Sequence, residues 1–258
     1  MKGILLVAYG SKEPDAEETM RVQARKLEEI RGQKVYTGFF RVSKPSIQEA
    51  MSQIAADGVD SLAVVPLLIS DSSMTSDLIP EAIGMKGRKG TVVVDSKEIK
   101  VAMCGAVGTD AGVADLLVKE IEKAGGKKDT PILLIGHGSK DDKNPEAVYE
   151  ASKGVKARGY VNLTVCFNEF CHPTVEEAFD VALRYADDKV LALPMFISDG
   201  VHIKKDIPPK IGLKEFENEG DVEYKGKKIH IFRESGIGSD PYFAEVISKR
   251  VDQLFSEL

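Results

Sequence analysis

Hydrophobic residues in this chain gather in short unbroken runs, and between the runs they recur at helical spacing. The runs at 4–8, 35–40, 62–68 and 99–103 are five to seven residues long and rich in β-branched and aromatic side chains. A run of that length without polar alternation predicts a strand covered on both faces. Between the runs, Met20, Ala24 and Leu27 share one helical face, as do Ile47, Ala50, Met51 and Ile54, and then Val113, Leu116 and Leu117. The pattern then starts again, with strands predicted near 132–136, 161–167, 189–195 and 228–232 and helices near 145–157, 174–186 and 240–255. Strand alternating with helix predicts a parallel sheet with helices on both faces. The expected fold class is therefore α/β, with two similar flavodoxin-like lobes about a cleft, each a parallel four-stranded sheet flanked by helices.

The second set of elements repeats the first in sequence as well as in pattern. Leu5-Leu-Val-Ala-Tyr-Gly-Ser11 returns 128 positions later as Leu133-Leu-Ile-Gly-His-Gly-Ser139, and Pro66-Leu-Leu-Ile-Ser-Asp71 returns as Pro194-Met-Phe-Ile-Ser-Asp199. Phe39 and Pro45 match Phe167 and Pro173 in the same register, and Ile79-Pro80 matches Ile207-Pro208. A repeat of this length is a small domain, too long for a solenoid unit. The boundary is expected in Ala124-Gly-Gly-Lys-Lys128, giving an N-terminal lobe 1–126 and a C-terminal lobe 127–258. The copies differ chemically at Tyr9 against His137, Lys44 against His172, and Met74 against His202. One copy kept reactive side chains and the other lost them.

Composition narrows the partners. With 35 basic and 41 acidic residues the net charge is −6, which argues against nucleic acid as the main partner. Cys104, Cys166 and Cys171 make neither a disulfide framework nor a cluster-binding set, and they point to buried or inert thiols in a reducing compartment. No run approaches the ~18 apolar residues that span a bilayer. The strand-like run from Gly3 follows the first residues with no charged leader. A soluble, cytoplasmic protein is the expectation, with no membrane partner and either a monomeric or a homodimeric state.

In open parallel sheets, ligands bind beyond the carboxyl ends of the strands. His137 directly follows one predicted strand, between glycines that let the backbone turn. Glu169 and His172 follow the next, and His202 lies a few residues beyond a third. Three strands thus deliver two or three imidazoles and a carboxylate to one sheet edge. Such nitrogen/oxygen sets suit divalent cobalt, nickel, iron or zinc, and an imidazole is the natural proton acceptor near neutrality. His230 falls inside a strand pattern and reads as structural. The glycines of 84–90 have neither Rossmann nor P-loop spacing, and no nucleophile elbow surrounds Ser11 or Ser139.

With the motifs Leu133-Leu-Ile-Gly-His-Gly-Ser139, Asn168-Glu-Phe-x-x-Pro173 and Gly200-Val-His-x-x-x-Asp-Ile-Pro208, the chain resembles the class II, ATP-independent tetrapyrrole chelatases, and among them the sirohydrochlorin chelatases of the CbiX/SirB type in their long, duplicated form. The resemblance covers essentially the whole chain and makes both lobes chelatase-like. It implies insertion of a divalent metal into sirohydrochlorin, most simply cobalt on the route to cobalamin, with nickel or iron as the alternatives. The metal is the only inorganic requirement implied. By resemblance His137, His202 and Glu169 hold the metal and His137 accepts a proton. Glu169, His172, Ile197, Ser198, Asp199, Gly200 and Val201 line the substrate, with Tyr9 and Met74 of the first half facing the macrocycle. Lys140, Lys204 and Lys205 are possible partners for its carboxylates. The chain departs from the family in placing its histidines in the second half and in having His172 where relatives carry an acidic residue. A non-catalytic protein that holds tetrapyrrole or metal is the rival from another class.

Overall fold

The central strand of each sheet shows why the apolar runs are unbroken. In β1 (Lys2–Ala8), Ile4 to Val7 are fully buried, because neighbours cover both edges and helices cover both faces. The computed structural model describes every residue except Glu13, Asp141 and Asp142, and the side chains of Ala16, Lys143 and Asn144. In the first sheet β1 pairs in parallel with β2 (Val35–Phe39) and with β3 (Ser61–Pro66), Leu5 facing Tyr36 on one side and Val64 on the other. β3 pairs in parallel with β5 (Lys97–Met103), and β4 (Lys89–Val94) closes the edge antiparallel to β5. Helices α1 (Asp15–Arg31), α2 (Ile47–Ala56) and the short α3 (Ile79–Ile83) connect these strands. Strand order is β2-β1-β3-β5-β4.

The second sheet repeats that order with β6 (Ile132–Gly136), β7 (Leu163–Phe167), β8 (Lys189–Pro194), β9 (Glu219–Tyr224) and β10 (Lys227–Arg233), giving β7-β6-β8-β10-β9. Helices α5 (Lys143–Ala157), α6 (Val175–Tyr185) and the short α7 (Ile207–Lys210) connect it. Each sheet therefore has five strands instead of the expected four. The extra strand β9 alternates exposed charged and half-buried residues, and β4 has only the short valine run 92–94 with Val93 exposed; each pairs on one side only, as edge strands do. Two-residue turns set the hairpins. Asp95 and Ser96 take φ of 48° and 65°, and Lys225 and Gly226 take 50° and 76°, the doubly positive pattern that matches strand twist.

The chain folds into two compact units that cut across the sequence repeat. One consists of Met1–Asp110 with Pro241–Leu258, the other of Ala111–Asp240. The last helix of each repeat has thus changed places. α4 (Gly112–Lys123) belongs to the second unit, where Tyr160 donates to Glu122 at 3.2 Å. α8 (Phe243–Ser256) belongs to the first unit, where Arg31 pairs with Asp252 at 2.9 Å and Arg250 with Asp110 at 2.6 Å. Phe243, Val246, Ile247, Val251 and Leu254 bury the apolar face of α8.

Candidate metal centre

β6 ends at Gly136, and the next residue, His137, leaves the carboxyl edge of the sheet. Gly138 follows at φ 87°, where any Cβ would overlap the carbonyl of Glu169. That close approach lets the loop after β7 lie against the loop after β6. Asn168 N–H donates to Gly136 O and Glu169 N–H to His137 O, each at 2.9 Å. Cys171 N–H then donates back to Glu169 O at 2.7 Å across Phe170, which sits at φ 61°. The Cys171 thiol closes the loop, donating to Ser139 O at 3.1 Å and accepting from Ser139 N–H at 3.5 Å. Cys171 is thus a structural clasp. Cys104 and Cys166 are buried, and burial pushes both thiols up, Cys104 to about 11.

His202 arrives from the third strand end. The segment His202–Asp206 is one π-helical turn, Ile207 N–H donating to His202 O, and such turns recur at functional sites. It brings His202 Nε2 to 3.3 Å from His137 Nε2, the rings standing edge to face at 87°. Phe196 flanks both imidazoles, with ring centres 5.9 Å from His137 and 6.3 Å from His202.

The partners of the other two ring nitrogens assign the tautomers. His137 Nδ1 lies 2.9 Å from Gly138 O, which can only accept, so Nδ1 carries the proton. His202 Nδ1 lies 2.6 Å from Asp206 Oδ2, also an acceptor. In the neutral form of each ring both Nε2 atoms then turn lone pairs toward one another, an arrangement that suits a cation. Two metal–nitrogen bonds of about 2.0–2.1 Å at a tetrahedral angle span about 3.3 Å, the separation seen. Glu169 Oε1 is 4.0 Å from His202 Nδ1, and Glu169, His202 and Asp206 offer ligand atoms within 4.8 Å of one another. Lys210 Nζ donates to the backbone and side-chain oxygens of Asn168 at 2.8 and 3.0 Å. The Asn168 side-chain nitrogen lies 3.3 Å from His202 Nδ1, beside the shorter Asp206 contact.

The structure brings together His137, His202 and Glu169 of the residues singled out from sequence. It does not join His172 to them. Its side chain is 78% exposed and pairs through Nδ1 with Glu177 Oε2 at 3.0 Å. Glu177 also closes the capping box of α6, accepting from Thr174 N–H at 2.7 Å. The mirror residue Lys44 makes the same pair with the capping residue Glu49 of α2, at 2.9 Å. His172 and Lys44 thus fill one position, each meeting the capping glutamate of the helix that follows. Of the loop 197–201, Asp199 accepts from Gly236 N–H at 2.6 Å, as Asp71 accepts from Ala106 N–H at 2.9 Å in the first unit. Arg88 and hydrogen bonds from Ala106 and Thr75 hold Asp71 below the usual carboxylate range against the effect of its partial burial. Ile197, Ser198 and Gly200 are half-buried and Val201 is exposed. In the first unit Tyr9 is 46% exposed and Met74 packs on the core.

Three members of the site were not singled out from sequence: Asp206, Asn168 and Lys210. Asp206 has a readable signal, standing one helical turn after His202, the spacing at which side chains meet. Asn168 opens a motif already noted, without a role read from it, and Lys210 has no signal, since their meeting depends on the fold.

The chain matches the CbiX family model twice, over residues 3–124 and 131–254. A probable sirohydrochlorin cobaltochelatase of Halobacterium salinarum is 24% identical, over 97% of this chain and 90% of the relative. The sirohydrochlorin cobaltochelatase of Methanosarcina barkeri is 36% identical over 47% of this chain and 94% of its own length, the size of one repeat. Among solved structures, SirB from Bacillus subtilis with Fe3+ superposes with a TM-score of 0.72 at 19% identity, over 98% of this chain and 95% of that one. The sirohydrochlorin chelatase SirB of the subspecies spizizenii in complex with cobalt gives 0.68 at 15% identity, over 99% and 96%. These likenesses establish the fold.

Proposed function

The chain belongs to the CbiX family, and on that premise we propose that it inserts a divalent metal, cobalt before nickel or iron, into sirohydrochlorin without ATP. The observation that carries the reading is the 3.3 Å approach of two imidazole Nε2 atoms at one sheet edge. The curated relatives named sirohydrochlorin cobaltochelatase support the substrate and the metal.

In this reaction a metal ion replaces two pyrrole protons: two N–H bonds break, the four ring nitrogens take up the ion as its bonds to the protein side chains break, and the protons pass to the protein and solvent. His137 and His202 hold the incoming ion through Nε2. Asp206 keeps the His202 proton on Nδ1, so that the Nε2 lone pair stays available. Glu169, on the adjacent strand end, supplies a carboxylate as a third ligand. As the ion passes to the macrocycle, the lone pair of His137 is freed and accepts a pyrrole proton. Two neutral imidazoles and a carboxylate bind less tightly than a full thiolate cage, which suits an ion that must be released. The residues 197–201, beside His202, line the ring.

The test is incubation of the protein with sirohydrochlorin and each of Co2+, Ni2+ and Fe2+, without nucleotide, followed by the absorbance of the tetrapyrrole. The expected result is metallation, fastest with cobalt. Tight binding without metallation by any of the three would overturn the reading in favour of a carrier.

A further inference from the structure

The first unit keeps the turn that presents Glu169 but inverts the charge at its apex. Arg41 N–H donates to Tyr9 O at 2.8 Å, and Ser43 N–H donates to Arg41 O at 2.7 Å. Val42, between them, sits at φ 62°. Ser43 Oγ clasps Ser11 through its N–H and carbonyl, as Cys171 clasps Ser139. A β-branched residue at positive φ is an outlier that any turn-favouring residue would relieve, and such strain persists where the surroundings enforce it. Gly10 permits the turn, since a side chain there would overlap the Arg41 carbonyl, and the bonds from Arg41 and Ser43 hold it.

The held residue is a guanidinium where the second unit has a carboxylate. Among the described residues Arg41 makes no ion pair. Its guanidinium lies 6.0 Å from the Tyr9 ring centre and 5.7 Å from that of Phe40, the outer limit of a cation–π contact. Tyr9 is 46% and Val42 62% exposed. Phe40 and Met74, which stand where Asn168 and His202 do, pack against the core of their unit. The turn has lost its cation-binding groups while keeping its shape and its exposed tip.

We propose that Tyr9, Arg41 and Val42 form a carboxylate-binding platform on the first unit, recognising the acidic rim of a planar macrocycle. The inference rests on sirohydrochlorin being the substrate and names the residue that selects for its acidic groups. The planar fork of Arg41 meets a carboxylate with two parallel N–H bonds. Tyr9 and Val42 offer apolar area to the ring beside it.

Metal-free sirohydrochlorin and its fully esterified, uncharged form are titrated by absorbance into the full chain and into Arg41→Ala, Arg41→Lys and Arg41→Glu. The expected Kd for the acid weakens about tenfold in Arg41→Ala, the scale of a lost charge-assisted bond, and further in Arg41→Glu. Arg41→Lys recovers part of the loss. The ester binds wild type and Arg41→Ala alike and Tm is unchanged, which shows that the first unit is intact, and Co2+ alone binds every variant alike, as a site in the second unit requires. An unchanged Kd for the acid in Arg41→Ala, with wild type still forming the metallated product, overturns this inference alone. Failure of wild type to bind sirohydrochlorin overturns it together with the chelatase reading.

Discussion

His202 is held by three side chains from two loops, and the shortest of these contacts decides its chemistry. Asp206, at 2.6 Å, keeps the proton on Nδ1 and turns Nε2 toward His137. Replacing Asp206 by Asn removes the charge that holds that tautomer. The expected loss is ~10–100-fold in affinity for Co2+, measured by calorimetric titration, as for outer partners of metal-bound imidazoles. A Kd within twofold of wild type would reject the role. His172 gives the opposite expectation: its contact is Glu177, so His172→Ala should keep the metal-insertion rate within twofold while lowering Tm slightly. The sequence made His137, Glu169 and His202 legible because each comes after a strand run, His137 directly and the others a few residues on, and strand ends converge. It singled out His172 by the same rule, since a residue after a strand can equally cap the next helix. Asn168 and Lys210 meet only once α7 is placed against the loop after β7.

Elements follow the same logic of what a pattern can carry. Continuous apolar runs located the four parallel strands of each sheet, because a strand buried on both faces has no polar alternation. β4 and β9 were hidden, with Val92 the one fully buried residue of β4. α4 carries a less visible cost. Glu120 is 5% exposed with no hydrogen-bond partner for one oxygen, and burial with Glu234 and Asp240 nearby pushes its carboxyl up to about 9. In the first unit Arg250 of α8, ten residues after Asp240 as Glu120 is ten after Asp110, is paired with Asp110. Unfolding frees Glu120 to ionise near its ordinary 4.5. Between that pH and about 9 the folded state therefore holds the extra proton, and stability falls as pH rises. Glu234 is shifted in the same direction, chiefly by burial, and adds to the slope. Glu120→Gln should flatten the dependence of Tm on pH, matching wild type near pH 4 and exceeding it by at least ~3 °C near pH 8. Parallel curves would contradict the assignment. The cap of α6 gives a second check. Thr174→Ala loses the hydrogen bond to Glu177 N–H and should cost ~1 kcal/mol in denaturant unfolding.

At the scale of the molecule the duplication yields two sheets of one order and a single paired-imidazole centre among the described residues. The sequence shows the repeat plainly, yet the compact units are interleaved, each taking its last helix from the other repeat. Helical spacing reveals that α4 and α8 have apolar faces and says nothing of which sheet receives them. A fragment cut at 111–240, which contains every element of the second unit, should therefore unfold cooperatively in urea. One cut at 127–258, lacking α4, should give a broad transition.

The central claim is that the metal passes through the nitrogen pair of His137 and His202. The most direct measurement is the initial rate of Co2+ insertion into sirohydrochlorin by His202→Ala, followed by absorbance beside wild type, with Tm recorded for both. The account predicts a rate at least ~100-fold lower at an unchanged fold, the scale on which one essential active-site group acts. A rate within twofold of wild type would contradict it.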